Sequence, residues 1–189
     1  MPQEQNWSNL KPLLQPLILT AVILALDQVT KAVIVANVER LEYGGPVIEV
    51  FGSFLRIIHV RNLGIAFSIG RDLDPGLRRV LFIVLPALVI GGLVVYYFRS
   101  DEFTPLQRWS IAGIIAGGLG NIVDRVFRPA GVVDFVDVRF YGLFGLERWP
   151  TFNVADASVV VCGILLMVSV LFEREHQGEH GSISDEQES

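Results

Sequence analysis

The sequence predicts a membrane protein of the all-α class, a four-transmembrane-helix bundle with a small β-sheet outside the bilayer. Three observations predict it. Of the 189 residues 51% are hydrophobic and mean hydropathy is +0.49, too apolar for an ordinary soluble domain of this size. Four stretches of 15 to 19 residues carry no charge, close to the length a helix needs to cross a bilayer. The two long connections between them contain runs of β-branched and aromatic residues bounded by turn formers.

The elements follow in order. Residues 1–10 are polar and read as a frayed start. Lys11 and Asp27 bracket 15 uncharged residues, and the helical pattern continues through Gln28, Thr30 and Lys31 to about Val35. No small-x-small cleavage site follows, so this is a retained span over about 12–35 rather than a removed leader. In the connection 36–79, Val47–Phe51 and Leu55–Val60 read as a hairpin around Gly52-Ser53. Asn62 to Ser68 reads as a tight loop, and Asp72 to Gly76 is turn chemistry leading into the next helix. Val80 to Phe98 is 19 residues without a charge, with Pro86 as a candidate kink and Tyr96 and Tyr97 suited to an interface. Only 7 residues, Arg99–Pro105, precede the third helix (about 106–127), so the second and third are antiparallel neighbours. Gly113 and Gly117 form a GxxxG pair, and Ala116 and Gly120 repeat the spacing one face over, which permits close helix approach in lipid. In the connection 128–152, Val132–Phe140 is strand-like and Phe140–Trp149 is rich in aromatics that suit the interface. The last helix covers about 153–172, with 16 uncharged residues between Asp156 and Glu173. Residues 1–172 thus read as one integral membrane domain, and the acidic, Ser/Gln/Gly-rich 173–189 as a disordered tail.

Parity then brings polar residues together. Four spans alternate direction, so the first helix ends, the third ends and the fourth begins at one membrane face. Asp27/Lys31, Asn121/Asp124/Arg125 and Asn153/Asp156 all arrive there, beneath both long connections. Spans one, three and four have only 15, 15 and 16 uncharged residues, so each reaches full length by sinking its polar end into the membrane edge. A charged group at the bilayer centre costs roughly 2.5–3.5 kcal/mol on translocon scales, less near the rim, which makes each such acid a functional candidate.

The chemistry suggested by these residues is that of a paired-aspartate hydrolase. Asn121 and Asp124, like Asn153 and Asp156, lie at i, i+3 and share a helical face. Two adjoining carboxylates hold one proton near neutral pH; the ionised member takes a proton from water while the other polarises a carbonyl. Such a mechanism needs neither metal nor cofactor. No zinc-like His/Cys spacing, phosphate loop or nucleophile elbow is present, and the net charge of −5 argues against nucleic acid. Plainer readings stand beside this one. Asp124–Arg125 is alternatively an ion pair, Asp156 a helix cap, Asn62 and Gly64 an ordinary turn. Asp27 and Lys31, at i, i+4, read as a structural pair, His59 as packed or exposed, and Cys162 as packing.

Five blocks, Asp27-Gln-Val-Thr-Lys31, Asn62-Leu-Gly-Ile-Ala-Phe-Ser68, Gly120-Asn-Ile-Val-Asp-Arg125, Val133-Asp-Phe-Val-Asp137 and Phe152-Asn-Val-Ala-Asp156, resemble in sequence and order the motifs of the lipoprotein signal peptidases, or signal peptidase II. The resemblance covers about residues 12–172. It implies an aspartyl endopeptidase of the bacterial inner membrane that cuts prolipoproteins just before a lipid-modified cysteine. Diacylglyceryl prolipoproteins and membrane lipid are the expected partners, and a monomer the expected state. By motif match Asp124 and Asp156 are the expected catalytic pair. Asn62, Gly64, Asn121, Arg125, Asn153 and Ala155 shape the substrate site, with Asp27 and Lys31 in support. The family also implies an extracytoplasmic β-cradle, an interfacial helix and both termini in the cytoplasm.

Charge opposes that orientation. Lys11, Arg99, Arg108 and Arg174 lie on the face of the tails; the other 11 of the 15 basic residues lie on the face of the connections, which the positive-inside rule would put in the cytoplasm. The family orientation is the one adopted here, because the rule weakens for long loops and for cations committed to a folded site. Two rivals fit less well. Gly118-Leu-Gly-Asn121 approaches the Gly-x-Gly-Asp pattern of presenilin-type proteases but lacks its Asp, and four spans are too few. A proton-coupled carrier would carry an internal repeat, and none is visible.

Overall fold

The computed structural model describes the backbone of residues 4–64, 70 and 73–187, and the side chains of 10–64, 70 and 73–173. Among the described residues four helices are long and apolar enough to cross a membrane. We number them α1 (Glu4–Asn37), α2 (Pro75–Arg99), α3 (Pro105–Phe127) and α4 (Val154–Gln187). Strands β1 (Ile48–Phe51), β2 (Leu55–Asn62) and β3 (Val132–Val138) form one antiparallel sheet in the order β1-β2-β3. α4 is drawn on through Gln187, into the segment read from sequence as a disordered tail; that segment holds Glu, Arg and Gln, which favour helix, and no proline.

α3 is the hub, with half of its apolar window buried against about a fifth for the other spans. Its small residues explain this. A Cβ on Gly113 would sit 2.2 Å from Cys162 Sγ, and one on Gly117 would sit 2.3 Å from the Ala155 carbonyl oxygen. α4 therefore lies against α3 at a distance only glycine allows. Polar tethers reinforce the contact: Ser158 donates to the Gly113 carbonyl at 2.8 Å, and Thr20 of α1 donates to the Ala112 carbonyl at 2.9 Å. The other faces are apolar and exposed, as a lipid-facing surface would be. Leu14, Ile18, Val22, Leu26, Val29 and Val33 form an exposed stripe at helical spacing along α1. Tyr97, suited from sequence to an interface, is instead fully buried, its hydroxyl donating to the Leu13 carbonyl at 2.7 Å.

Pro86 takes the form of a π-turn at Val80–Val84, where the Leu85 N–H bonds back to Val80. A proline has no N–H for the carbonyl four residues earlier. That carbonyl, on Phe82, accepts instead from Arg125 Nη1 at 3.5 Å. Asp74 caps the start of α2 through the N–H groups of Gly76 and Leu77, as its turn chemistry predicts.

The sheet stands on the ends of the bundle. Ile34 of α1 and Val38 just after it pack against Val133 and Phe135 of β3, and His59 Nδ1 lies 2.7 Å from the Val38 carbonyl, with the ring buried. Between α3 and β3 the chain turns at Gly131, where φ is +101° and a Cβ would lie 2.6 Å from the Asn62 carbonyl oxygen; only glycine satisfies both demands. β3 also pairs with Phe152, two residues before α4: Val136 N donates to Phe152 O at 2.8 Å, and Phe152 N to Val136 O at 3.1 Å. That bridge sets the start of α4 beside β3. Where the sequence suggested an interfacial element, the described residues hold a 3-10 turn, Leu143–Gly145, with Phe144 in it and Tyr141 before it exposed.

Candidate active site

The polar residues that parity assembles meet, Arg125 excepted, and they divide into two groups. The first is a closed ion network. Lys31 Nζ lies 2.8 Å from Asp27 Oδ2 and 3.2 Å from Asp124 Oδ2, all three side chains fully buried. Arg128 pairs with the other Asp124 oxygen, which also accepts from Gln28 at 3.2 Å. Val133 N donates to Asp124 Oδ2 at 3.1 Å, and Ala155 N to Asp27 Oδ1 at 3.0 Å. Two acids face two bases, and both Asp124 oxygens are committed. The network ties α1, α3, β3 and α4 together, and burying it is tolerable only because every charge has partners.

This arrangement departs from the expectation for Asp124. The residue does not sit beside Asp156; Lys31 and Asn121 stand between them, Lys31 donating to Asn121 Oδ1 at 3.2 Å and Asn121 to Asp156 Oδ1 at 2.7 Å. Nor does Asp124 pair with Arg125. Neighbours on a helix point about 100° apart, and Arg125 reaches the other way, donating to the Gly64 carbonyl at 2.7 Å with its guanidinium 5.3 Å from the Phe82 ring centre. The expected i, i+4 pair of Asp27 and Lys31 is present, as an ion pair.

The second group contains Asp156 and an acid to which the sequence reading gave no role, Asp134 of β3. Asp134 accepts from Asn62 Nδ2 at 3.0 Å and from Asn153 Nδ2 at 2.8 Å. Asp156 accepts from Asn121 Nδ2 and, at 3.1 Å, from the Asn153 backbone N–H; its own N–H returns to Asn153 Oδ1 at 2.9 Å. Asn153 thus caps α4 and holds both acids, one by its side chain and one by its backbone. Asn62 is fixed in turn, because its Oδ1 accepts from Gly64 N at 3.0 Å and leaves its amide protons aimed at Asp134. Among the described residues no cation lies within ion-pairing distance of either acid, in contrast to Asp124.

Asp134 is 3% exposed. Burial, and next the charge of Asp156, push its carboxyl up to about 7, against the hydrogen bonds of Asn62 and Asn153 and the charge of Lys31. One carboxyl of the two is therefore poised to hold a proton at neutral pH. Among the described residues no group of three or more His, Cys, Asp or Glu has metal-site geometry. A signal for Asp134 was in the sequence: it opens the acid pair of Val133-Asp-Phe-Val-Asp137, between apolar neighbours on a strand. The second acid, Asp137, serves the sheet, holding Arg56 and Arg148 at 2.6 Å each. Of the block Asn62–Ser68, residues 65–68 lie outside the described residues.

Comparison with known proteins agrees with the motifs. The family model for signal peptidase (SPase) II matches residues 19–172. The lipoprotein signal peptidase of Treponema pallidum is 43% identical over 170 residues, covering 90% of each chain. That of Treponema denticola is 44% identical over 166 residues, 88% of this chain and 94% of the relative. A solved bacterial membrane enzyme, determined by the in meso method at 2.3 Å resolution, superposes with a TM-score of 0.73 at 28% identity, covering 86% of this chain and 90% of that one. With the match running from α1 to α4 and through every polar block, this chain belongs to the signal peptidase II family of aspartic peptidases.

Proposed function

We propose that this chain removes the signal peptide of diacylglyceryl prolipoproteins, cutting just before the lipid-modified cysteine, and that Asp134 and Asp156 are its catalytic pair. Asp156 keeps the role expected from its motif. Asp134 takes the place expected for Asp124, whose oxygens are already held by Lys31, Arg128, Gln28 and Val133 N. The observation that carries the reading is geometric: Asn153 holds both Asp134 and Asp156, Asp134 is buried, and among the described residues no cation lies within ion-pairing distance of either acid.

The reaction follows from the paired charges. Asp156, ionised, accepts a proton from a water held between the two acids. The water oxygen bonds to the scissile carbonyl carbon while Asp134 gives its proton to the carbonyl oxygen. The tetrahedral diol then collapses. The carbon–nitrogen bond breaks, the proton on Asp156 passes to the leaving amine, and Asp134 recovers its own from the diol hydroxyl. Asn121, Asn153 and Asn62 hold the carboxyls in place. Ala155, with its N–H on Asp27, supports the turn that presents Asp156. Arg125 and Gly64 shape the mouth through their shared hydrogen bond.

In this reading the sheet face is extracytoplasmic, both termini are cytoplasmic, the membrane is the inner one and the protein acts as a monomer. A reporter fused after Phe172 should be active only in the cytoplasm. The reaction is tested by incubating purified protein with a lipid-modified prolipoprotein and a non-lipidated control. Cleavage of the first only is the expected result; cleavage of both, or of neither, refutes the assignment.

A further inference from the structure

Asn153 holds both Asp134 and Asp156, so the spacing of the two acids depends on where the preceding residues, 148–152, lie along β3. Backbone contacts between that segment and β3 are sparse. Trp149 N donates to Val138 O at 2.9 Å, and Phe152 pairs with Phe135 and Val136. Pro150 stands between these contacts and has no N–H to give. A side-chain clamp spans the gap. Asp137 is buried, and its Oδ1 accepts from Arg148 Nε at 2.6 Å. Its Oδ2 accepts from Arg56 Nη2 and Nε at 2.6 and 2.8 Å. Arg148 also donates through Nη1 and Nη2 to the Ser53 carbonyl, at 3.1 and 3.2 Å. One guanidinium thus pins the segment to β3 and to the β1–β2 turn together.

We propose that Asp137 is a positioning residue for the reaction, given Asp134 and Asp156 as the catalytic pair: through Arg148 it fixes residues 148–152 on β3 and so sets how close Asp156 stands to Asp134. The two arginines have different parts. Arg56 and Asp137 face each other across β2 and β3, strands already paired from Leu55 to Asn62, so that ion pair strengthens a ladder that stands without it. Arg148 holds a segment whose ladder is broken. A slip there would carry Asn153, and with it Asp156, away from Asp134, and a misplacement of about 1 Å at reacting groups can cost about 100-fold in rate.

The test compares Asp137→Asn, Arg148→Gln and Arg56→Gln on a lipid-modified prolipoprotein, each normalised to folded protein. Asp137→Asn and Arg148→Gln should lose about 10- to 100-fold in kcat, with KM within about twofold of wild type. Their alkaline limb of kcat/KM should move to lower pH, because a more distant Asp156 charge helps less to keep the proton on Asp134. Arg56→Gln should lower Tm and keep both kcat and the pH profile. Arg148→Gln leaves Asp137 paired with Arg56, so it decides the matter if Asp137→Asn folds poorly. Acrylamide quenching of Trp149, in a Trp7→Phe/Trp109→Phe background, should rise in Arg148→Gln and stay constant in Arg56→Gln. Wild-type kcat, an unshifted pH limb or unaltered quenching in Arg148→Gln would overturn the proposal, as would an equal loss of kcat in Arg56→Gln. Wild-type turnover in Asp134→Asn would refute the catalytic pair and this inference with it; wild-type turnover in Arg148→Gln beside an inactive Asp134→Asn would overturn this inference alone.

Discussion

Replacing Asp134 by Asn should change the pH dependence of stability in a defined direction. In the folded protein the carboxyl stands at about 7, against an ordinary value of 3.8. The folded state therefore holds its proton more tightly than the unfolded chain does. Stability from this group is fully present below the unfolded value and is lost as pH rises through the folded one. The interval is about three pH units at about 1.4 kcal/mol each, so wild type should lose up to about 4 kcal/mol between pH 4 and pH 8. Asp134→Asn removes that loss. It also costs one hydrogen bond, because Asn62 and Asn153 both present amide protons to a group that then has a single acceptor, a penalty of about 1–3 kcal/mol that does not vary with pH. The variant is thus expected to be less stable than wild type at pH 4 and to gain on it steadily by pH 8. The three tryptophans report unfolding in detergent, and the Tm difference should move by about 10 °C over that range. A difference that stays constant, or a deficit of the variant that widens as pH rises, would refute the assignment of a proton to Asp134 at neutral pH.

Other outcomes follow from the same contacts. Asp124→Asn takes the carboxylate from Arg128 and leaves Lys31 with Asp27 alone, and should cost about 3–5 kcal/mol, read as a lower Tm and lower yield of folded protein. Gly113→Ala drives a methyl to 2.2 Å from Cys162 Sγ and should cost about 1–3 kcal/mol, with much of the loss recovered in Gly113→Ala/Cys162→Ala. Asn62→Ala removes a hydrogen bond that lowers the Asp134 pKa, so the alkaline limb of kcat/KM against pH should shift upward even as the rate falls.

The bilayer made much of this fold legible in the sequence. Span length is set by membrane thickness, so the uncharged stretches locate α1 to α4, and parity alone brings Asp27, Asp124 and Asp156 to one end. Gly113 and Gly117 foretold the close α3–α4 contact. Asp134 was hidden for a different reason. Parity orders helix ends, whereas Asp134 lies on a strand whose facing depends on register with β2 and on the bridge to Phe152, contacts of long sequence separation. The division of labour among the acids was hidden too. Asp124 and Asp156 look alike as Asn-x-x-Asp, and only the positions of Lys31 and Arg128 distinguish a neutralised carboxylate from an unpaired one. The Asp124–Arg125 pairing failed on geometry visible in principle, since adjacent helical residues diverge. The role of Pro86 needed the partner helix: its missing N–H matters because it leaves the Phe82 carbonyl for Arg125.

The most direct test of the catalytic assignment is cleavage of a lipid-modified prolipoprotein by Asp134→Asn, Asp156→Asn and Asp124→Asn, each normalised to folded protein. The account predicts that the first two lose at least about a thousandfold in kcat, of the order expected when a general acid or base is removed. Asp124→Asn should retain far more activity per folded molecule while losing Tm. Wild-type turnover in Asp134→Asn, together with loss in a well-folded Asp124→Asn, would contradict it and return the catalytic role to Asp124.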